Sequence, residues 1–187
     1  MALKRFTIDG YGQLELNNVA FRRDGRIEAQ CALDATDFAD VPAENGMLLA
    51  VDNINRVVKF ATDASLPIAL NYTTEHMYDE RTPGLKNFKL DIADGFYPRL
   101  GYLAVGDKFT TNCVSYDSTS DATFTGDEAF KTALDNIATA KLYGGIAEDG
   151  SIKVSATKPA AGPVLLVVAK TTMPDGQLGI KFQVLTA

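Results

Sequence analysis

Most of the chain consists of short apolar runs separated by residues that favour turns. Residues 46–52 and 56–61 are two such runs, and Asn53-Ile54-Asn55 lies between them, so we predict a β-hairpin here. Runs of this length with β-branched residues are typical of strands rather than helices. The further predicted strands are residues 66–73, 100–105, 108–116, 145–147, 152–155, 164–171 and 178–186.

Turn chemistry joins several of these runs in pairs. Gly106-Asp107 separates two of the predicted strands, Glu148-Asp149-Gly150-Ser151 separates the next pair, and Met173-Pro174-Asp175-Gly176-Gln177 separates the last pair. Proline presets φ and glycine accepts a positive φ, so these segments predict tight connections. The expected fold is therefore mainly β, a compact antiparallel β-barrel or β-sandwich.

One segment, residues 125–140, has helical periodicity instead. Thr125 is followed three residues later by Glu128, which predicts a capping box at the start of one α-helix. The apolar face expected to lie against a sheet consists of Phe130, Ala133, Leu134, Ile137 and Ala138.

The N-terminal segment, residues 1–30, has a different character from the rest. Residues 6–16 alternate weakly, and residues 17–32 contain a candidate strand on each side of an Arg-Asp-Gly turn. This segment carries five basic and four acidic side chains, a net charge of +1. Because the whole chain has a net charge of −6, the remainder carries −7. Two alternatives fit this pattern: a hairpin of the domain, or an extended arm that docks outside it.

Length and composition indicate an ordinary globular protein. The 187 residues suit one domain, residues 31–187, with or without an appended arm, and 46% of residues are hydrophobic while 22% are charged. The net charge of −6 argues against nucleic acid as the main partner, because phosphate binding needs clustered cations. The longest aliphatic run, residues 164–169, is too short for a membrane span, so we expect a protein made in a cytoplasm.

The cysteines give no sign of a metal site or a disulfide framework. Cys31 and Cys113 are far apart in the chain, and each lies in an apolar or strand-like context. We therefore predict two buried free thiols.

The best candidate for chemistry is the acidic cluster around His76, which is the only histidine. Glu75, Asp79 and Glu80 lie close to it in sequence. No phosphate-binding loop, nucleophile elbow or zinc motif accompanies the cluster, and the spacing does not match a calcium loop. We interpret it as a polar surface loop rather than an active site, and we expect no enzymatic activity, cofactor or metal.

An aromatic group lies in residues 87–102. It comprises Phe88, Phe96, Tyr97 and Tyr102, with Arg99 among them. Tyrosine and arginine are typical of interaction hot spots, since they combine large contact area with hydrogen-bonding ends. The alternative is a core cluster that closes one end of a barrel.

Several phrases together resemble a family of virion proteins. They are LNNVAFRRDGRIEAQ (16–30), ENGMLLAVD (44–52), PGLKNFKL (83–90), FYPRLGYLAVGDKFTTN (96–112) and KPAAGPVLLVVAKTTMPDGQLGIKFQVL (158–185). This set is similar to the head decoration, or cement, proteins of tailed bacteriophages. The resemblance runs over most of the chain, and none of the phrases is a catalytic signature.

The resemblance implies a mechanical function. Such proteins bind the outer surface of the major capsid protein shell and clamp neighbouring subunits, often with a terminal arm. The implied location is the capsid exterior, after assembly in the bacterial cytoplasm. The implied partners are the major capsid protein and a second copy of this chain, and the resemblance implies neither nucleic acid nor membrane as a partner. The candidate capsid contacts are Lys4, Arg5, Phe21, Arg22, Arg23, Arg26, Tyr97 and Arg99. The alternative is a tail or head-fibre component that self-assembles or binds host glycan.

Overall fold

The computed structural model describes residues 3–6, 12–62, 65–73, 89–118, 121 and 124–187, and within them the chain is mainly β, as predicted. The helices are α1 Phe21–Asp24 and α2 Asp127–Asp135, with a short 3₁₀ helix at Ile92–Asp94. The strands are β1 Leu3–Arg5, β2 Leu14–Asn18, β3 Ile27–Glu28, β4 Ala32–Leu33, β5 Ala43–Glu44, β6 Leu48–Asp52, β7 Val57–Phe60, β8 Ile68–Asn71, β9 Lys89–Leu90, β10 Leu100–Gly101, β11 Lys108–Thr111, β12 Val114–Asp117, β13 Tyr143–Ile146, β14 Ile152–Ser155, β15 Val164–Thr172 and β16 Leu178–Thr186.

The larger sheet has eight strands in the order β1-β12-β14-β13-β15-β16-β11-β2. The hairpins β13–β14 and β15–β16 form where the sequence predicts them. The predicted strand 108–116 is divided at Asn112 and Cys113: β11 pairs antiparallel with β16, and β12 pairs parallel with β14. The two halves of one stretch thus lie near opposite ends of the strand order.

The second sheet has six strands in the order β3-β10-β8-β6-β7-β4, and the predicted hairpin β6–β7 lies within it. Only Leu100–Gly101 of the predicted strand 100–105 forms a strand, and it joins this sheet rather than pairing with β11. The turn at Gly106-Asp107 therefore connects the two sheets. A third, two-stranded sheet pairs β5 with β9.

The hydrophobic core has two parts, one on each face of the six-stranded sheet. Leu48 and Leu70 face the larger sheet, where they share a core with Phe109 and Phe182. Leu49, next to Leu48 in β6, faces the other way into a second core with residues of β4, β5 and β9. Successive strand residues point to opposite faces, so β6 is buried throughout. The described strands form the layers of a sandwich, not a closed barrel.

Helix α2 packs on the larger sheet as expected but begins differently. Its N-cap is Gly126, which has no side chain to cap the helix, so the predicted capping box at Thr125 is wrong. Phe130 is buried and stacks on the ring of Tyr116, with 4.8 Å between centroids. The helix ends at Asp135, which leaves Ala138 exposed beyond it.

The described part of residues 1–30 belongs to both sheets. β1 pairs with β12, β2 pairs with β11, and β3 pairs with β10. Leu14 and Phe21 are buried in the core between the sheets. Of the two alternatives, an extended arm is therefore wrong for these residues, and residue 30 is not a packing boundary, because the segment supplies edge strands and core side chains.

Both thiols are free and buried, as predicted. Burial raises the pKa of Cys113 to about 12, and Glu44 adds to that shift while Arg5 opposes it. The helices described in the structure include none with the length and apolar character needed to cross a membrane.

Candidate interaction surface

Helix α1 is anchored by Phe21 and displays arginines outward. The Phe21 ring is fully buried, and its centroid lies 5.0 Å from that of Tyr72. Gly101 of β10 permits this position, because a Cβ there would overlap the ring. Arg22 and Arg23 follow on the exposed side of the same short helix. The anchor holds them on a fixed part of the fold.

The chain then turns at Gly25 and brings Arg26 back beside the helix. Gly25 is left-handed, with φ of 71°, and its N–H bonds the carbonyl of Phe21. Asp24 lies 2.8 Å from the Nε of Arg23 and 3.8 Å from Nη2 of Arg26. The hydrogen bond from Arg23 lowers the pKa of Asp24. One carboxylate therefore serves two guanidinium groups, and the surface keeps a positive charge.

Arg99 joins this surface from the segment before β10. Its N–H donates to Oγ1 of Thr73 at 2.9 Å, and its carbonyl accepts from the N–H of Tyr72 at 3.0 Å. Burial raises the pKa of Tyr72, while Arg99 and Arg22 both act to lower it. The two guanidinium groups therefore lie near the same tyrosine. We call Arg22, Arg23, Arg26 and Arg99 the arginine patch.

The loop before β11 lies against α1. The carboxylate of Asp107 accepts the N–H of Ala20 through one oxygen and that of Ala104 through the other, each at 2.9 Å. Arg26 also donates to the carbonyl of Leu103 at 3.5 Å. Val105 stands at the tip of this turn with 70% of its surface exposed.

A second exposed surface surrounds Phe96 and Tyr97. Their exposed fractions are 38% and 52%, so the core alternative is wrong for both. Tyr102, by contrast, is half-buried against the second core, and Phe88 lies outside the described residues. The aromatic cleft, as we call it, is a depression of about 80 Å³ lined by Ala32, Leu33, Ile92, Gly95, Phe96 and Tyr97.

Four of the eight predicted contact residues lie outside the arginine patch, and one of these, Tyr97, belongs to the aromatic cleft. Phe21 is a core residue, and Lys4 pairs with Asp127 at 3.1 Å. Arg5 is largely buried: its Nη2 lies 3.0 Å from the carboxylate of Glu44 and 3.5 Å from the sulfur of Cys113. Phe21 thus lies in the core, where a partner does not reach it, whereas Arg5 is ion-paired and keeps 27% of its side chain exposed.

Arg5 lies among mainly acidic groups. Burial lowers its pKa, but Cys113, Glu44 and Asp149 together raise it above the ordinary value. The buried Nε of Arg5 has no hydrogen-bond partner in the described part of the chain. The group therefore holds β1 to the body through charge rather than through a complete set of hydrogen bonds.

The candidate chemistry around His76 lies outside the described residues, as do Glu75, Asp79 and Glu80. Within the residues that the structure describes, no group of three or more His, Cys, Asp or Glu side chains is arranged to hold a metal ion.

Comparison with known proteins identifies no relative of the chain. No protein-family model matches it, and neither does a curated protein or a solved structure.

Proposed function

We propose that the protein is a structural, non-enzymatic component of a tailed-bacteriophage virion that binds the outside of the major capsid protein shell and stabilises it. The observation that supports this proposal is a group of exposed and half-buried arginines: Arg22, Arg23 and Arg26 lie in and just after α1, and Arg22 and Arg99 both act on Tyr72. These four residues are contact candidates implied by the family resemblance, and they come from two distant parts of the sequence.

The chemistry of the arginine patch suits carboxylates on a protein partner. A guanidinium group presents a planar fork of donors that matches a carboxylate in two-point contact. Arg22 forms no ion pair with another described residue, and Arg23 and Arg26 share Asp24. The patch therefore keeps donor capacity for acidic side chains on the shell.

The rigid attachment of the arginine patch to the core lowers the entropic cost of binding. Phe21 fixes α1 in the core, and the backbone of Arg99 is bonded on both sides to Tyr72 and Thr73. A contact surface that is already ordered loses less conformational freedom when it docks. A contact bridging two capsid subunits, repeated over the shell, resists their separation even when each single contact is weak.

The test is binding to expanded capsids that lack the protein, measured by co-sedimentation. Reversing two charges in the patch, with Arg22→Glu and Arg99→Glu together, should weaken binding by at least about tenfold, since like charges then face the shell. The matched control is Lys141→Glu with Lys158→Glu, an equal change in charge at two exposed positions elsewhere. Wild-type occupancy by the patch variant would overturn the proposal.

A second candidate function is a tail or head-fibre component that binds host glycan. The exposed rings of Phe96 and Tyr97 favour it, because aromatic faces are common platforms for sugars. Immunogold electron microscopy of intact particles separates the two: label on the head supports decoration, and label on the tail or fibres supports the second candidate.

A further inference from the structure

The tip of the β6–β7 hairpin exposes a large apolar side chain. Ile54 has 94% of its surface exposed, which is unusual for an isoleucine in a well-fixed turn. Asp52 fixes the turn by accepting the N–H groups of Ile54 and Asn55 at 3.1 and 3.0 Å. Ile54 is therefore presented as a knob on a fixed turn.

The residue that closes the turn is also unusual. Arg56 has φ of +56°, the only positive φ at a residue other than glycine among those described. Glycine or asparagine is the ordinary choice for this conformation. Arginine at this position places a cation two residues from Ile54. Its Nη2 donates to the carbonyl of Gln30 at 3.5 Å, and no carboxylate among the described residues pairs with it.

The aromatic cleft has the size and polarity to receive such a knob. A cavity of roughly 150 Å³ takes up benzene, with its six carbons, so a space of about 80 Å³ suits a side chain of three or four carbons. Ile54 has four side-chain carbons. The cleft is lined mainly by apolar groups, and Asp91 and Asp94 directly flank the lining residues Ile92 and Gly95 in the chain. The charge beside the cleft is thus opposite to the charge beside the knob.

The knob and the cleft border each other on one molecule. β4 pairs in parallel with β7, so Ala32, a lining residue of the cleft, lies opposite Val57. The N–H of Ala32 donates to the carbonyl of Arg56 at 3.1 Å. Ile54, almost fully exposed, does not fill its own cleft. A two-fold contact requires a self-complementary surface, and a projection beside a depression of matching size can provide one.

We propose that the protein forms a two-fold homodimer in which Ile54 of each copy fills the aromatic cleft of the other, with Arg56 facing the carboxylates of Asp91 and Asp94. The occupant of the cleft is thus a second copy of this chain. The contact does not use the arginine patch that supports the proposed capsid function, although the cleft includes Tyr97, one of the candidate capsid contacts. Because part of the contact is ionic, we expect dimerisation to weaken as salt is added.

Sedimentation velocity on the purified full chain, from about 1 μM to 1 mM at low salt, tests the dimer. We expect a concentration-dependent dimer for the wild type and a dissociation constant at least about tenfold higher for Ile54→Asp. Val105→Asp is the matched control, since it places the same charge at another exposed apolar tip, and it should dimerise like the wild type. Thermal melting followed by circular dichroism checks that each variant is folded.

A charge exchange makes the test specific to the proposed geometry. Arg56→Glu should weaken the dimer, and adding Asp91→Arg to that variant should restore it at least in part, which a merely structural role for Arg56 does not predict. A wild type that stays monomeric over the whole range, or an Ile54→Asp variant that dimerises like the wild type, would overturn the proposal.

Discussion

The burial of Phe21 makes a quantitative prediction about the N-terminal segment. Phe21→Ala removes a fully buried ring that contacts Tyr72 and lies over Gly101. Truncating a buried phenylalanine costs about 3–5 kcal/mol, from lost transfer free energy and the cavity left behind. A domain of this size has a free energy of unfolding of roughly 5–15 kcal/mol, so the variant should remain folded but lose a large share of its stability.

Urea unfolding followed by circular dichroism measures the change, with the free energy of unfolding obtained from the midpoint and slope. Phe96→Ala is the matched control: the same substitution at a ring that is 38% exposed should cost no more than about 1 kcal/mol. If Phe21→Ala costs less than about 1 kcal/mol, α1 is not part of the core in solution, and residues 1–30 would then be better described as an extended arm.

Three further predictions concern titration, thiols and one hydrogen bond. The N–H groups of Asn55 and the nearby Lys59 lower the pKa of Asp52 to about 2, so the stabilising effect of this carboxylate is present above pH 4 and lost as the pH falls through 2. The difference in urea midpoint between the wild type and Asp52→Asn should therefore be smaller at pH 2 than at pH 6. An equal difference at both pH values would contradict this prediction. Burial raises the pKa of Cys113 to about 12, so Ellman's reagent should label this thiol at pH 8 only after unfolding, and rapid labelling of the native protein would argue against its burial. For the same reason, the free energy of unfolding should fall as the pH rises from 9 to 12. Tyr116→Phe removes a 2.6 Å hydrogen bond to Asp127 and should lower the free energy of unfolding by about 1 kcal/mol, whereas no change in a urea titration would mean that water replaces the hydroxyl.

Local turn chemistry explains what the sequence predicts well. The hairpins β6–β7, β13–β14 and β15–β16 are each defined by a few adjacent residues that favour a tight connection, so the pattern suffices. The buried state of both cysteines likewise follows from their apolar neighbours in the chain.

Long-range contacts explain the errors. The interruption at Asn112 depends on its side chain, which accepts the N–H of Gln13 and donates to Gln177 at 2.9 Å, and both partners are far away in sequence. The start of α2 at Asp127 coincides with contacts from Tyr116 and Lys4, which a capping box cannot anticipate. Tertiary contacts override local propensity at both places.

The arginine patch, the exposed Ile54 and the aromatic cleft could be predicted from the sequence to different degrees. The arginines were recognisable as candidates one by one, but their convergence depends on the pairing of β3 with β10, which no local pattern reveals. The knob at Ile54 did leave a signal: an isoleucine between two asparagines in a hairpin turn has no side of the sheet to pack against. The aromatic cleft combines residues of β4 with the segment after β9, so only the fold brings it together.

The strand order also has a consequence for how the chain folds during synthesis. β1 and β2 are synthesised well before their partners β12 and β11, which lie about a hundred residues later in the sequence. β16 follows the other seven strands of this sheet in the sequence, and it stands between β15 and β11, so it joins the five strands on one side to the two on the other. A nascent chain that lacks β16 holds the larger sheet in two unconnected parts. Folding is therefore expected to finish only after β16 has emerged, so incomplete chains do not acquire the complete sheet.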